Sequence, residues 1–327
     1  MSNIKELDLG PLHDYYEFEH AVSDFKASVI EGLSSPQKKL SSKYFYDVRG
    51  SQLFDKITEL PEYYLSRTET DLLRIYADEF AELIGEGSSL IEFGSGSSTK
   101  VRILLNALQS PTAYVPIDIS REYLIQSAKE LAVSYPDLPV VPICADYTRP
   151  IKLPFIPNEN SRAGFFPGST IGNFTYQDSV KFLRTVANDL GSGNGLLIGV
   201  DLKKDVKILR AAYNDTAGVT AEFNLNILRH INRALGVDMD PNEFTHDAQW
   251  NHEKGRIEMH LVSKCNQTVY FENLEFEFVE GESIHTENSH KYTIEGFQSL
   301  AASAGWEACK YWKDSNNLYS IHYLRVV

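Results

Sequence analysis

The stretch Leu90-Ile91-Glu92-Phe93-Gly94-Ser95-Gly96-Ser97-Ser98-Thr99-Lys100 constrains this chain more than any other. A short, mostly apolar run meets two closely spaced glycines and then a cluster of hydroxyl residues, the order of a buried strand, a tight turn and a helix start. Gly94 and Gly96 carry no Cβ, so the backbone there can turn sharply and come close to a ligand. Ser97, Ser98 and Thr99 are expected to cap the helix that follows. Further on, Tyr114-Val115-Pro116-Ile117-Asp118 reads as a second strand ending in an acid, the position from which an α/β sheet holds ribose hydroxyls. The two segments together predict a doubly wound, mostly parallel α/β sheet with a nucleotide-like ligand at the carboxyl ends of its strands.

Two large ligand classes use such a turn, and the residues distinguish them. A dinucleotide site wants Gly-x-Gly-x-x-Gly, so that pyrophosphate meets a helix N-terminus; here Thr99 stands where the third glycine would be. Glu92, just before the turn, would repel a diphosphate. S-adenosylmethionine has no phosphate and carries a sulfonium cation, so an acid beside the turn is tolerable or favourable. The pattern favours a class I (Rossmann-like) methyltransferase over a nicotinamide oxidoreductase. A non-catalytic cofactor-binding protein is a reading that sequence leaves open.

At 327 residues the chain is long enough for a core domain plus an elaboration. Its formal net charge of −14 argues against nucleic-acid or anionic-membrane partners, because the mean field repels phosphates. A small-molecule substrate is expected. Cys144, Cys265 and Cys309 lie far apart and form no metal-ligand spacing, which suits a reducing compartment. The N-terminus lacks an apolar signal region, and no run approaches the roughly 18 apolar residues of a membrane span. A cytoplasmic monomer is the default expectation.

Residues 1 to about 85 read as helical, with Phe18, Val22, Phe25 and Val29 on one face and an aromatic-rich bend between helices. Strands at Leu90–Phe93, Tyr114–Asp118, Val140–Ile143, Gly164–Pro167 and Gly195–Val200 then alternate with helices, placing Asp118, Asp146, Gly168 and Asp201 on the functional edge of a parallel sheet. After Asp201 the rhythm changes. Val219, Phe223, Ile227, Ile231 and Leu235 repeat at helical spacing. Alternation at Ile257, Met259, Leu261 and Ser263, then Thr268–Phe271 and Leu274–Val279, predicts strands. The expected division is a core of residues 1–201 and 288–327 with an inserted α+β substrate-binding subdomain over 202–287. A helix near Ile294–Ala304 and two closing strands, Glu307–Trp312 and an antiparallel Tyr319–Arg325, finish the core.

Most charged residues, Arg67, Glu69 and Arg74 among them, read as solvated helix faces. The histidines fall in no ligand spacing, so no metal is expected. The glycine-serine turn does not fit the Gly-x-Ser-x-Gly elbow of a hydrolase. Three clusters are harder to explain as structure alone. Lys43 to Asp47 and Leu60 to Tyr64 place tyrosines in a bend before the glycine strand. Gly168-Ser169-Thr170-Ile171-Gly172-Asn173 ends the fourth strand, where backbone amides and an Asn side chain face the ligand. Thr286-Glu287-Asn288-Ser289 carries an acid and a hydroxyl two apart, which on a strand point the same way.

With these residues in view, the chain resembles the histidine-specific Nα-methyltransferases of ergothioneine biosynthesis. The similarity runs through Tyr44-Phe45-Tyr46-Asp47, Leu60-Pro61-Glu62-Tyr63-Tyr64, Gly94-Ser95-Gly96, Gly168 to Asn173, Ala212-Tyr213, Arg256-Ile257-Glu258-Met259 and Thr286-Glu287-Asn288-Ser289, nearly the whole chain. It implies S-adenosylmethionine contacts at Gly94, Lys100, Asp118, Asp146 and Tyr147, the last in place of an expected phenylalanine. It implies L-histidine contacts at Tyr63, Gly168, Asn173, Tyr213, Glu287 and Ser289, with Met259 packing nearby. Tyr63, Asn173 and Tyr213 would hold the carboxylate and orient the amine, Glu287 and Ser289 would hold the imidazole, and Asn173 and Tyr46 would serve catalysis. Asn288 replaces an expected aliphatic residue, which matters little if only its backbone faces the ligand. The implied reaction is trimethylation of L-histidine to hercynine; an acceptor such as tryptophan is the alternative, against which the Glu287 and Ser289 pair speaks.

Overall fold

The computed structural model describes residues 9–18, 25–96, 98–151, 153 and 161–327. In chain order the elements are β1 (Tyr16–Glu17), α1 (Phe25–Ser34), α2 (Val48–Glu59), α3 (Tyr64–Ile75), α4 (Ala77–Ile84), β2 (Ser89–Phe93), α5 (Thr99–Ala107), β3 (Ala113–Asp118), α6 (Arg121–Ser134), β4 (Ile143–Cys144), β5 (Arg162–Phe166), α7 (Tyr176–Leu190) and β6 (Gly195–Asp201). There follow α8 (Val206–Tyr213), α9 (Val219–Leu235), β7 (Phe244–Asn251), β8 (Arg256–Ser263), β9 (Gln267–Phe271), β10 (Leu274–Phe278), β11 (Ser283–His290), α10 (Ile294–Ser303), β12 (Trp306–Lys313) and β13 (Tyr319–Val326).

One sheet has the order β1-β4-β3-β2-β5-β6-β13-β12. Its strands run parallel from β1 to β6, and β13 is antiparallel to β6 as the sequence predicts. β2 and β6 are buried at every residue, which a sheet covered by helices on both faces requires. Strand order reverses between β2 and β5, so the crevice at their carboxyl ends is the place where such a sheet binds ligands.

The N-terminal segment departs from the helical expectation. β1 pairs parallel with β4, and the Phe18 N–H donates to Cys144 O at 3.0 Å, so Phe18 belongs to a strand extension and not to the face of α1. The physical reason is that β4 would otherwise present an open edge of unpaired backbone groups. Phe25 and Val29 do lie on α1, with Val29 buried, while Val22 is outside the described residues. Capping of α5 also differs: Ser98 sits at the N-cap but makes no side-chain cap bond, Thr99 is already helical, and Ser97 is outside the described residues.

A second sheet, β11-β8-β7, and the β9–β10 hairpin are antiparallel throughout. α9 lays Phe223, Ile227 and Ile231 into the core between them and the N-terminal helices. Phe223 packs on Phe45 with ring centroids 4.6 Å apart, and Asp47, the N-cap of α2, takes hydrogen bonds from Asn226 and Arg233. β11 runs straight through the expected 287/288 boundary. Beyond it the Tyr292 N–H donates to Asp201 O at 3.0 Å and the Lys203 N–H to Tyr292 O at 2.9 Å, so the chain leaves the core and re-enters it at adjacent points.

Candidate active site

A cavity of about 640 Å³ opens at the carboxyl ends of β2, β3, β4 and β5. Tyr46, Tyr63, Gly94, Lys100, Asp118, Asp146, Tyr147, Gly168, Asn173, Tyr213, Glu287 and Ser289 all line it. These come from segments dispersed along the chain, and the topology brings them to one place. Met259 does not line the cavity; it is buried in the core beneath, opposite Glu287 in the β11–β8 register.

On the sheet side, Gly94 has φ +75° and donates its N–H to Ile117 O at 2.8 Å, tying the start of the turn that follows β2 to the parallel strand β3. A Cβ at Gly94 would meet the Tyr147 ring at 3.5 Å, and one at Gly96 would meet nothing within 4 Å, so the space beside the turn is open to a ligand. Three carboxyl groups surround that space. Burial pushes Glu92, held by the Tyr114 hydroxyl, up to about 8, and pushes Asp118 up to about 6. Burial also works to raise Asp146, but hydrogen bonds from Thr148 and the charge of Lys43, 3.3 Å away, hold it below the ordinary range. Open backbone and a ring of acids fit S-adenosylmethionine, whose charge is cationic at sulfur and whose ribose offers hydroxyl donors.

Glu69 is not on a solvated face. It is 1 % exposed, its two oxygens accept the Gly168 N–H at 3.0 and 2.9 Å, and Lys100 pairs with it at 2.6 Å. The reason is its place on α3 among Leu65, Leu72 and Leu73, the buried stripe of that helix. Arg67 and Arg74 are exposed as expected, Arg67 donating to the carbonyls of Leu60 and Pro61. Glu69 thus fixes both the backbone of the Gly168 turn and the direction of Lys100.

On the opposite side, the tyrosine hydroxyls are donors and not bases. Burial pushes Tyr46, Tyr63 and Tyr213 well above the ordinary tyrosine range, reinforced by nearby acids and tyrosines. Tyr63 and Tyr213 meet edge to face, with centroids 6.2 Å apart, and Tyr46 packs on Phe54 and Phe223. A bulge between His285 and Glu287 sets the far wall. His285 still faces His260 in register, but beyond the bulge Glu287, instead of Thr286, faces Met259. The bulge is tied by Thr286 Oγ1, which donates to Asn224 Oδ1 at 2.7 Å and Met259 O at 3.0 Å. The neutral His285 ring donates to Glu287 O at 3.0 Å; burial holds that imidazole down to about 4. Burial pushes Glu287 up to about 8, with Lys291 acting the other way. Asn288 also lines the cavity, and its buried Oδ1 has no hydrogen-bond partner among the described residues.

Sequence reasoning missed a buried charge cluster behind this wall. Asp201 receives Tyr64 Oη at 2.8 Å, Lys204 at 2.5 Å and Lys291 at 2.7 Å. Lys291 lies two residues after Ser289, as Ser289 lies two after Glu287, so the strand alternation was the available signal. Among the described residues no group of histidine, cysteine and carboxylate side chains forms a metal site, and no helix is long and apolar enough to cross a membrane.

A doubly wound sheet with an acid-ringed glycine turn at its switch point, faced across the cavity by residues of a separate antiparallel sheet, has the architecture of a class I methyltransferase. The chain belongs to the histidine-specific, S-adenosylmethionine-dependent methyltransferase family, whose profile matches residues 25–326. It is 39 % identical to the histidine N-alpha-methyltransferase of Mycolicibacterium smegmatis, over 93 % of this chain and 95 % of that one. It is 33 % identical to ergothioneine biosynthesis protein 1 of Neurospora crassa, over 88 % of this chain and 33 % of that protein. A 4-dimethylallyltryptophan N-methyltransferase of Aspergillus fumigatus is 28 % identical over 89 % of this chain and 90 % of its own length.

Proposed function

We propose that this enzyme transfers methyl groups from S-adenosylmethionine to the α-amine of free L-histidine, three times, giving hercynine for ergothioneine biosynthesis. The observation that supports it best is the convergence of Glu287 and Ser289 from β11 with Tyr63, Asn173 and Tyr213 on one cavity beside the Gly94 turn. In this reading residues 202–290 form the acceptor-binding unit, completed by Tyr63 and Asn173 from the core.

When bound, the cofactor supplies an electrophilic methyl group on a sulfonium sulfur. Gly94, Asp118, Asp146 and Tyr147 would hold its nucleoside and Lys100, steered by Glu69, its carboxylate. Tyr63, Asn173 and Tyr213 hold the histidine carboxylate and aim the amine. The neutral amine would be aimed with its lone pair at that methyl and would accept it, sulfur keeping the S–CH₃ electron pair and the amine proton leaving to water. The tyrosines stay protonated, so their part is orientation, and positioning of this kind supplies about 7–11 kcal/mol of a barrier. Tyr46 and Asn173 face the amine, and Glu287 and Ser289 hold the two ring nitrogens.

Mass spectrometry of protein, S-adenosylmethionine and equimolar histidine, tryptophan and phenylalanine tests the assignment. Stepwise gain of methyl groups on histidine alone is the expected result. Methylation of tryptophan in preference would move the chain to the alternative acceptor class, and no methylation would sink the reading.

A further inference from the structure

Lys291 is wholly buried, and its ammonium donates to three acceptors: Asp201 Oδ2 at 2.7 Å, Ser289 Oγ at 2.8 Å and Tyr213 Oη at 3.0 Å. The two hydroxyls are themselves 2.6 Å apart. Tyr213 and Ser289 carry two hydroxyl protons between them, both oxygens accept from Lys291, and their mutual bond uses one proton. The other proton has to point out of the pair, and both residues line the cavity.

The charges favour the same direction. Asp201 is flanked by Lys204 on one oxygen and Lys291 on the other, one carboxylate between two ammonium groups. The Lys291 ammonium sits directly behind Tyr213 and Ser289, and its two hydrogen bonds polarise whichever hydroxyl faces outward into a stronger donor.

Resting on the acceptor assignment above, we propose that Lys291 is a positioning residue for the acceptor. Clamped by Asp201, it keeps the Tyr213–Ser289 pair supplied with a cationic donor and so obliges the pair to offer a single polarised proton to the amino-acid substrate. Tyr213 and Ser289 then act as one switchable unit: a proton given by Tyr213 to a carboxylate leaves Ser289 donating to Tyr213, and the reverse holds when Ser289 serves the ring.

The test is calorimetric titration of histidine into the complex with S-adenosylhomocysteine, for the native protein and for Lys291→Met and Lys291→Gln. Either substitution leaves Asp201 with Lys204 as a balanced pair. Histidine affinity should fall at least about 10-fold in both variants while affinity for S-adenosylhomocysteine stays within about 2-fold. Unchanged histidine affinity overturns the proposal, as does equal weakening of both ligands, which marks a structural role. If neither variant folds, the cycle of Tyr213→Phe, Ser289→Ala and the double variant decides: the two losses should be strongly non-additive, and additive losses overturn the shared-proton pair. Failure of the native protein to bind histidine overturns the acceptor assignment and this proposal with it, whereas native binding with insensitive variants removes only the role of Lys291.

Discussion

Gly172 passes so close to His290 that a Cβ on it would stand 2.9 Å from His290 O and 3.2 Å from His290 N. The Gly172 carbonyl also lies 3.0 Å from His290 Nδ1. This is where the turn carrying Gly168 and Asn173, on the cofactor side, touches the strand carrying Glu287 and Ser289. A methyl group here can only push the two apart. Gly172→Ala is expected to cost about 1–3 kcal/mol of stability through overpacking. It should also lower kcat/KM for histidine by about 10-fold or more, with S-adenosylhomocysteine affinity little changed. Thermal melts with steady-state kinetics check this, and native-like kinetics would show the junction to be slack.

Glu69 joins Gly168 to Lys100 from inside the protein. Glu69→Gln keeps an acceptor for the Gly168 N–H but removes the charge facing Lys100. A charge-assisted hydrogen bond contributes about 1.5–3 kcal/mol, so kcat/KM should drop roughly 10- to 100-fold. Glu69→Ala, which also leaves the Gly168 N–H unpaired, should cost markedly more stability. Equal kinetics for Gln and native protein would assign Glu69 to folding alone.

Glu287, pushed up to about 8 by burial, is largely protonated at pH 7. A protonated acid tolerates a phenylalanine ring far better than an unpaired carboxylate does. Discrimination between histidine and phenylalanine should therefore sharpen as pH rises from 7 to 9 and the carboxylate forms. The ratio of kcat/KM values for the two acceptors measures this, since titration of their α-amines cancels. In Glu287→Gln the ratio should be flat over that range.

Glu92 offers a test on stability alone. Its folded value of about 8 lies above the ordinary 4.5, so between those values the folded state binds more protons than the unfolded state. Its contribution is full below pH 4.5 and is lost as pH rises toward and through 8. Glu92→Gln should leave the melting temperature of the ligand-free protein falling less steeply than native between pH 6.5 and 8.5. A parallel pair of curves would mean that Glu92 ionises normally.

How legible this was in the sequence varies with the physics of each element. The parallel strands were readable because burial on both faces leaves nearly continuous apolar runs, and α9 and β8 to β10 because the period changes after Asp201. β1 was not, since Tyr16–Glu17 carries no strand pattern and exists only to cover the edge of β4. Glu69 was misread because a glutamate on a helix is usually solvated; its spacing from Leu65 and Leu72 was the contrary clue. The bulge at His285 was invisible, because its cause is the tertiary tie of Thr286 to Asn224 and Met259.

Leu202 and Tyr292 stand side by side as parallel bridge partners where the segment carrying α8, α9 and β7 to β11 leaves and rejoins the large sheet. A segment whose two ends emerge together can be lengthened, trimmed or rewritten without straining the sheet from which it springs. The side of the cavity that this segment lines can therefore be reshaped while the Gly94 turn on the sheet stays as it is.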